Sequence, residues 1–342
     1  MSQKNLNVSI KTHNFLQSKL KDKLIYQIYK KFEKILDLNE NFAVAVSGGP
    51  DSLALAFLTK LYSINKFLRV RYFIVDHKLR LDSTKEANLV KKILNKISID
   101  LKILTWTGTK PKTNIQSISR NKRYSLLIAQ SKKFKIKNIL LGHHLDDLIE
   151  NFFIRILRGS GLNGLISLDK KVSYDQINFL RPLINFNKKD LIYVTEKVFG
   201  SYISDPSNEN IKFKRVKIRK LLAEFQNEGF DKKKFFLTIN NLKYANESIT
   251  FYIKKNLEKN CFFFKKKNSV LINKNFFQQS QEVIFRSFAE VIKIVGKKYY
   301  FSRGKKLIRV INTILNSSFD KTTLGGCVIQ RVANTIIITK EH

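Results

Sequence analysis

Apolar positions along this chain follow two different rhythms, and the change between them predicts the architecture. Residues 10–38 carry Leu20, Leu24, Ile28, Phe32 and Ile35 at helical spacing with lysines between, which predicts a helix. From residue 42 the pattern turns into short, wholly apolar runs: Phe42–Val46, Tyr72–Val75, Leu101–Leu104 and Ile139–Leu141. A stretch of helical length follows each, at about 51–66, 82–98, 113–133 and 145–157. Strands that are apolar on both faces and alternate with helices form a parallel sheet with crossover connections. Phe179–Ile184 and Lys188–Phe199 extend the same unit. The expected fold class is α/β, a doubly wound parallel sheet followed by a smaller, mainly helical C-terminal domain.

The alternation stops after Asp205-Pro206-Ser207-Asn208, where a lysine-rich helical stretch, Ile211–Glu224, leads into a second region. A boundary near 210–230 is expected, with residues 1–215 as the first domain and 216–342 as a linker helix plus a C-terminal domain. Gly325-Gly326 followed by the β-branched run Val328–Thr339 predicts a terminal hairpin.

Composition narrows the classes. The chain has 342 residues, 43% hydrophobic and 27% charged, ordinary for a globular protein of two domains. No run is apolar enough to span a bilayer and the N-terminus lacks a signal-peptide core, so a cytoplasmic location is expected and no membrane partner. Only Cys261 and Cys327 occur, without CxxC spacing, which argues against a disulfide framework, a zinc ribbon or paired-thiol sulfur chemistry. Lys+Arg outnumber Asp+Glu by 64 to 27, a net charge of +37. Between Lys254 and His342 there are 18 Lys+Arg against 5 Asp+Glu. Such a basic second region favours a polyphosphate partner, although a bias toward Lys, Asn and Ile explains part of the excess.

Three motifs carry chemistry. Ser47-Gly48-Gly49-Pro50-Asp51-Ser52 lies between a predicted strand and a predicted helix. Its glycines permit a tight turn, Pro50 suits the first helical position, and the loop should aim amide N–H groups at an anion. The Gly-Lys-Ser/Thr ending of a Walker A loop is absent. The second motif, Val75-Asp76-His77, ends the next strand, where ligands of doubly wound sheets sit. The third is Gly142-His143-His144-Leu145-Asp146-Asp147-Leu148-Ile149-Glu150-Asn151. As a helix from Leu145, it puts Leu145, Leu148, Ile149, Phe152 and Ile156 on one face and Asp146, Asp147 and Glu150 opposite, within an arc of about 100°. Carboxylates crowded in that way call for a cation, either magnesium or an incoming ammonium. Zinc is disfavoured, since adjacent histidines point apart and no cysteine joins them. The GxGxxG pattern at 159–164 follows a helix instead of a strand, so it is not read as a dinucleotide fingerprint.

The loop Ser47–Ser52 resembles the pyrophosphate loop of the N-type ATP pyrophosphatases, which cleave ATP between the α- and β-phosphates. With Val75-Asp76-His77, Asn114-Ile115-Gln116, Arg120, Arg123-Tyr124, Gly142–Glu150, Arg155 to Gly164, Arg181-Pro182-Leu183, Asp205–Asn208, Arg215 and Arg219, the first 225 residues resemble the tRNA(Ile)-lysidine synthetases. That resemblance implies ATP and Mg2+ as cofactors, and free L-lysine and tRNA(Ile) with a CAU anticodon as partners; a homodimer stays open. ATP would adenylylate O2 of the wobble cytidine; the lysine ε-amine would then attack C2 and expel AMP, giving lysidine and switching codon reading from AUG to AUA.

By residue, the resemblance implies ATP binding by Ser47, Gly48, Gly49, Pro50, Asp51 and Ser52, with Asp51 and Asp76 as magnesium ligands. Asp146, Asp147 and Glu150 would receive lysine, and Asp51, Asp76, Arg120, Asp147 and Glu150 would form the catalytic set. Arg155, Arg158, Arg181, Arg215, Lys217 and Arg219 would meet tRNA phosphates. The chain departs from the family pattern at Leu148, Asn151 and Val216, where Gln, Thr and Asn are usual. A further C-terminal domain of longer members is not expected. The rival readings are tRNA base thiolation and a tRNA-binding relative without turnover.

Overall fold

The computed structural model describes residues 3–109, 111, 113–204, 214–264, 268–297, 304–316 and 319–341, with side chains from residue 11 onward. The Asp205–Asn208 turn lies outside the described residues. The chain forms two compact units, Met1–Phe236 and Leu237–His342.

The first unit is built on strands β1 (Phe42–Val46), β2 (Val70–Asp76), β3 (Leu101–Thr105), β4 (Asn138–Leu141), β5 (Lys171–Tyr174) and β6 (Ile177–Leu180). They lie in the order β3-β2-β1-β4-β6-β5. All pairings are parallel except the β5–β6 hairpin. That hairpin was not anticipated, because its turn residues Asp175 and Gln176 take positive φ without the glycine that usually announces one.

Helices α3 (Pro50–Asn65), α4 (Ser83–Asn95), α5 (Ile115–Lys133), α6 (Leu145–Ile156) and, after the short α7 (Leu162–Leu165), α8 (Lys188–Phe199) fall within a residue or two of the predicted stretches, α4 excepted at its C-terminal end. The helix expected over 10–38 is two, α1 (Gln3–Lys19) and α2 (Lys23–Ile35), because the Asp22 carboxylate caps the second by accepting from the amides of Leu24 and Ile25. Its buried stripe is Ile25, Ile28, Tyr29 and Phe32. One apolar cluster joins α2, α3, α4 and α8 to the sheet, while Leu127 and Ile128 of α5 pack with Phe73, Ile139 and Phe179 in another. The sheet is thus covered on both faces. Helix α9 (Lys214–Asn227) lies along α6, and Phe152, Phe153, Phe225, Phe230 and Phe235 interlock around the turn that follows it.

The second unit pairs helices with an antiparallel sheet. Helix α10 (Lys232–Asn260) runs into it, and α11 (Gln281–Gly296) and α12 (Gly304–Leu315) share one apolar cluster with β7 (Cys261–Phe264), β8 (Ser269–Ile272), β9 (Lys321–Leu324), β10 (Cys327–Val332) and β11 (Thr335–Lys340). The strand order is β7-β8-β11-β10-β9. Gly325 and Gly326, both at positive φ, turn β9 into β10, and the expected hairpin is β10–β11. Among the described residues no helix is long and apolar enough to cross a membrane.

Candidate functional site

β1 has β2 on one side and β4 on the other, so the order of strands reverses there and a crevice opens at their carboxyl ends. The loop after β1 and the loop after β4 meet in it. A Cβ added to Gly142 would lie 3.2 Å from Ser52 Cα, so the two loops touch through backbone. In the first loop Gly48 sits at φ +89, and a Cβ there would fall 2.6 Å from Val90 Cγ2. Gly48 needs glycine, and a side chain at Gly142 would require the Ser52 backbone to give by a few tenths of an ångström.

Ser52 organises that loop from inside. Its Oγ accepts from the amides of Ser47 and Gly48, both at 3.1 Å, and donates to Gly49 O at 2.9 Å. The loop therefore offers fewer amides than its sequence suggests. Those of Gly49 and Asp51, at the start of α3, have no acceptor among the described residues and remain for an anion.

Asp51 and Asp76 differ in a way their sequence positions do not reveal. Asp51 Oδ1 is buried with no hydrogen-bond partner among the described residues, a mark of a group suited to a hard cation. The Asp76 carboxylate is buried and already satisfied: it accepts from Lys78 N at 2.9 Å, Ser83 Oγ at 2.8 Å and Thr84 Oγ1 at 2.6 Å. Burial pushes its pKa up, but these bonds and Lys78 outweigh it and hold the group below the usual carboxylate value. Its carbonyl also accepts from Trp106 N. Asp76 is thus the tie between β2, α4 and the end of β3. Among the described residues no group of three or more His, Cys, Asp or Glu is placed to hold a metal ion. A magnesium at Asp51 would complete its shell with phosphate oxygens and water.

His144 links this loop to α6. It caps the helix, with Asp147 Oδ2 accepting from its amide at 3.1 Å. Its Nε2 is 3.5 Å from Asp51 Oδ2 and from Asp147 Oδ2, and its Nδ1 is 3.6 Å from Asp146 Oδ2. Burial disfavours the charged ring, but the three carboxylates prevail and raise its pKa to about 10. Nδ1 also lies 3.2 Å from the Asp146 amide. That contact requires a lone pair on Nδ1, so it gives way when the ring is protonated. His143 behaves oppositely: burial, reinforced by Arg181, Arg123 and Arg120 against Asp147, lowers it to about 3. Adjacency in sequence bears only on whether the two histidines could ligate a metal; their role as a neutral and a charged neighbour depends on tertiary surroundings.

The carboxylates of α6 each meet a cation from a different segment. Asp146 Oδ1 contacts Lys232 Nζ, and its Oδ2 accepts from Lys188 N at 3.3 Å. Burial acts upward on Asp146, but His144 and Lys232 hold it far below the usual range. Asp147 Oδ1 is 3.7 Å from Arg215. Glu150 Oε1 accepts from Arg219 Nε at 2.5 Å, and Oε2 lies 3.4 Å from Arg219 Nη2. Burial raises the Glu150 pKa, with Arg219 opposing. Glu150 was expected on a polar face, yet it is 3% exposed because α9 covers it, whereas Ile156, expected on the apolar face, is 47% exposed at the helix end. Between α6 and α9 lies a cavity of about 140 Å³, with Asp146, Glu150, Arg219 and Lys232 as its charged wall and Ile149, Leu222 and Phe230 among its apolar lining.

The expected tRNA contacts separate. Arg158 and Lys217 are exposed, Arg155 is half-buried, and the Arg215 side chain is 45% exposed. Arg181 is buried and donates from Nη1 to Asp169 O at 2.7 Å, while its Nε has no hydrogen-bond partner among the described residues. Arg219 is half-buried, and its fork faces Glu150. Arg120 is exposed on α5 and stacks on Tyr124. Leu148 and Val216 are buried, which suits their apolar character, and Asn151 donates to Ser167 Oγ at 3.3 Å. Lys232 escaped the sequence reading; the only local signal near it is the turn Gly229-Phe230-Asp231.

Residues 20–225 match the PP-loop domain family. The chain is 33% identical over 310 residues to the tRNA(Ile)-lysidine synthase of Orientia tsutsugamushi (strain Boryong), a match covering 89% of this chain and 70% of that protein. It is 32% identical over 307 residues to the tRNA(Ile)-lysidine synthase of Wolbachia pipientis wMel, covering 89% and 71%. Among solved structures, the U34-tRNA thiolase NcsA of Methanococcus maripaludis with its 4Fe–4S cluster aligns with a TM-score of 0.57 at 19% identity, over 66% of this chain and 81% of that one. That likeness speaks for the fold.

Proposed function

Because this chain belongs to the tRNA(Ile)-lysidine synthase family of PP-loop proteins, we propose that it ligates free L-lysine to C2 of the wobble cytidine of tRNA(Ile) bearing a CAU anticodon, through an O2-adenylylated intermediate. ATP is split to AMP and pyrophosphate. The observation that carries this reading beyond the family is the α6–α9 cavity. Its carboxylates suit an ammonium, its apolar lining suits the four methylenes behind it, and it opens beside a helix whose first residues contact the phosphate loop through His144.

In this reading the amides of Gly49 and Asp51 receive the phosphates. Asp51 would hold a magnesium ion, which when bound would neutralise charge on the pyrophosphate. Asp76, with its carboxylate satisfied within the protein, positions the end of β2. The lysine ε-ammonium arrives protonated, with an unperturbed pKa of about 10.4, and cannot attack until the proton leaves. Glu150 takes that proton; burial makes it a better base than an exposed carboxylate, and Arg219 keeps it ionised. Asp147 and Asp146 hold the amine's surroundings negative, and Arg120 faces the adenylate. Arg155, Arg158, Arg215, Lys217 and the basic second unit meet tRNA phosphates. The reading places the protein in the cytoplasm.

Thiolation finds no support in the cysteines. Cys261 and Cys327 are both buried, and burial pushes the Cys261 thiol up to about 12. The test is incubation with ATP, radiolabelled lysine and unmodified tRNA, with label followed into RNA. Absence of label in RNA, with pyrophosphate still released, rejects the lysine acceptor.

A further inference from the structure

Among the described residues, Lys232 is the ammonium that already lies in the α6–α9 cavity, and it comes from the chain itself. It opens α10, directly after the turn in which Gly229 takes φ +87 and Asp231 Oδ1 accepts from Lys233 N at 2.6 Å. Phe230, one residue before Asp231, is held against Phe153 and Phe235. The backbone at Lys232 is therefore fixed, and its side chain runs to Asp146 Oδ1.

Among the described residues two cations line this cavity, Arg219 and Lys232, and they are not equivalent. Arg219 presents a planar fork to a Glu150 side chain that is only 4% exposed, an arrangement that is expensive to break. Lys232 makes a single-point contact, its side chain is 32% exposed, and its flexible stem can swing to water without backbone movement. An incoming alkylammonium would reproduce the bond that Lys232 gives up. Asp146 then keeps a cationic partner throughout the exchange, and no buried carboxylate is left unpaired.

We propose that Lys232 is a tethered competitor for the amine subsite: the ε-ammonium of the substrate enters by displacing it from Asp146, so Lys232 sets the amine affinity. This rests on the lysine-ligating reading above. The consequence is a raised KM for lysine, since the subsite is competent only for the fraction of time that Lys232 has left it.

The experiment is the lysine dependence of label transfer to tRNA, with pyrophosphate release in the absence of lysine measured on each variant as the control for a folded, ATP-competent protein. Lys232→Met keeps the stem and removes the charge, and it should lower the lysine KM by about two- to fivefold, the range expected for a partly exposed ion pair. Lys232→Arg, with a fork that grips a carboxylate harder, should raise it. An unchanged or higher KM in Lys232→Met overturns the proposal and makes Lys232 a residue that positions Asp146. If the wild-type protein transfers no lysine at all, the functional reading itself fails, and that result is visible before any variant is made.

Discussion

Arg219 Nε lies 2.5 Å from Glu150 Oε1, and this pair closes the wall between α6 and α9. Burial raises the Glu150 pKa while Arg219 pulls it down. A raised carboxyl pKa means that the folded protein holds the proton more tightly than the unfolded chain. Stability from this group is therefore present below the unfolded pKa and lost as pH rises through the folded one. Removing the guanidinium shifts the folded value further up. Arg219→Met should move the acid limb of the lysine-transfer pH–rate profile to higher pH while the pyrophosphate-release profile stays in place. Parallel movement of both profiles would mean that Glu150 serves the nucleotide.

Glu150→Gln keeps the shape and removes the base. Lysine transfer should slow by a factor on the order of 10², while adenylylation continues. Single-turnover reaction with α-labelled ATP should then show label accumulating on tRNA. A block in adenylate formation itself would assign Glu150 to the first step.

Asp51 and Asp76 should fail differently. Asp51→Asn removes the proposed magnesium ligand, so it should abolish pyrophosphate release. It loses no hydrogen bond at Oδ1 but does lose one of the three carboxylates facing His144, so its cost in urea stability should be smaller than that of the Asp76 variant. Asp76→Asn perturbs bonds from Ser83, Thr84 and the Lys78 amide, and should destabilise the protein by about 1–3 kcal/mol. Equal stability losses in the two variants would contradict this division.

Gly48→Ala forces a side chain onto a φ of +89 and into Val90, with 2.6 Å to Cγ2. A cost of about 1–3 kcal/mol is expected from the backbone strain alone, visible as a lower unfolding midpoint, together with loss of ATP turnover.

Affinity for tRNA should fall steeply with salt, log K dropping by about 0.7–0.9 per phosphate contact against log salt. A shallow slope would make the +37 charge a compositional bias with no RNA-binding consequence.

The sheet was legible because strands buried on both faces leave continuous apolar runs: Phe42–Val46 matches β1 to the residue, and the helical stretch Lys188–Phe199 matches α8. The phosphate loop was legible for a similar reason, since its glycines answer to local geometry. The partners of the α6 carboxylates were not. Arg219 lies 69 residues from Glu150, and Lys232 lies 86 from Asp146; no periodicity reports a pairing made by a returning helix. The burial of Glu150 and Arg181 was hidden too, because helical spacing predicts which face a residue shares but not which face a later segment will cover.

The backbone contact between Gly142 and Ser52 has a consequence for redesign. With a Cβ at Gly142 already 3.2 Å from Ser52 Cα, the phosphate loop and the start of α6 cannot be altered independently, and together they behave as a chassis. The α9 wall and the turn that carries Lys232 meet the start of α6 through side chains, Arg215 on Asp147 and Lys232 on Asp146. Accepting a shorter or bulkier amine in place of lysine is therefore a matter of exchanging Leu222, Phe230 and Lys232, with the chassis left as it is.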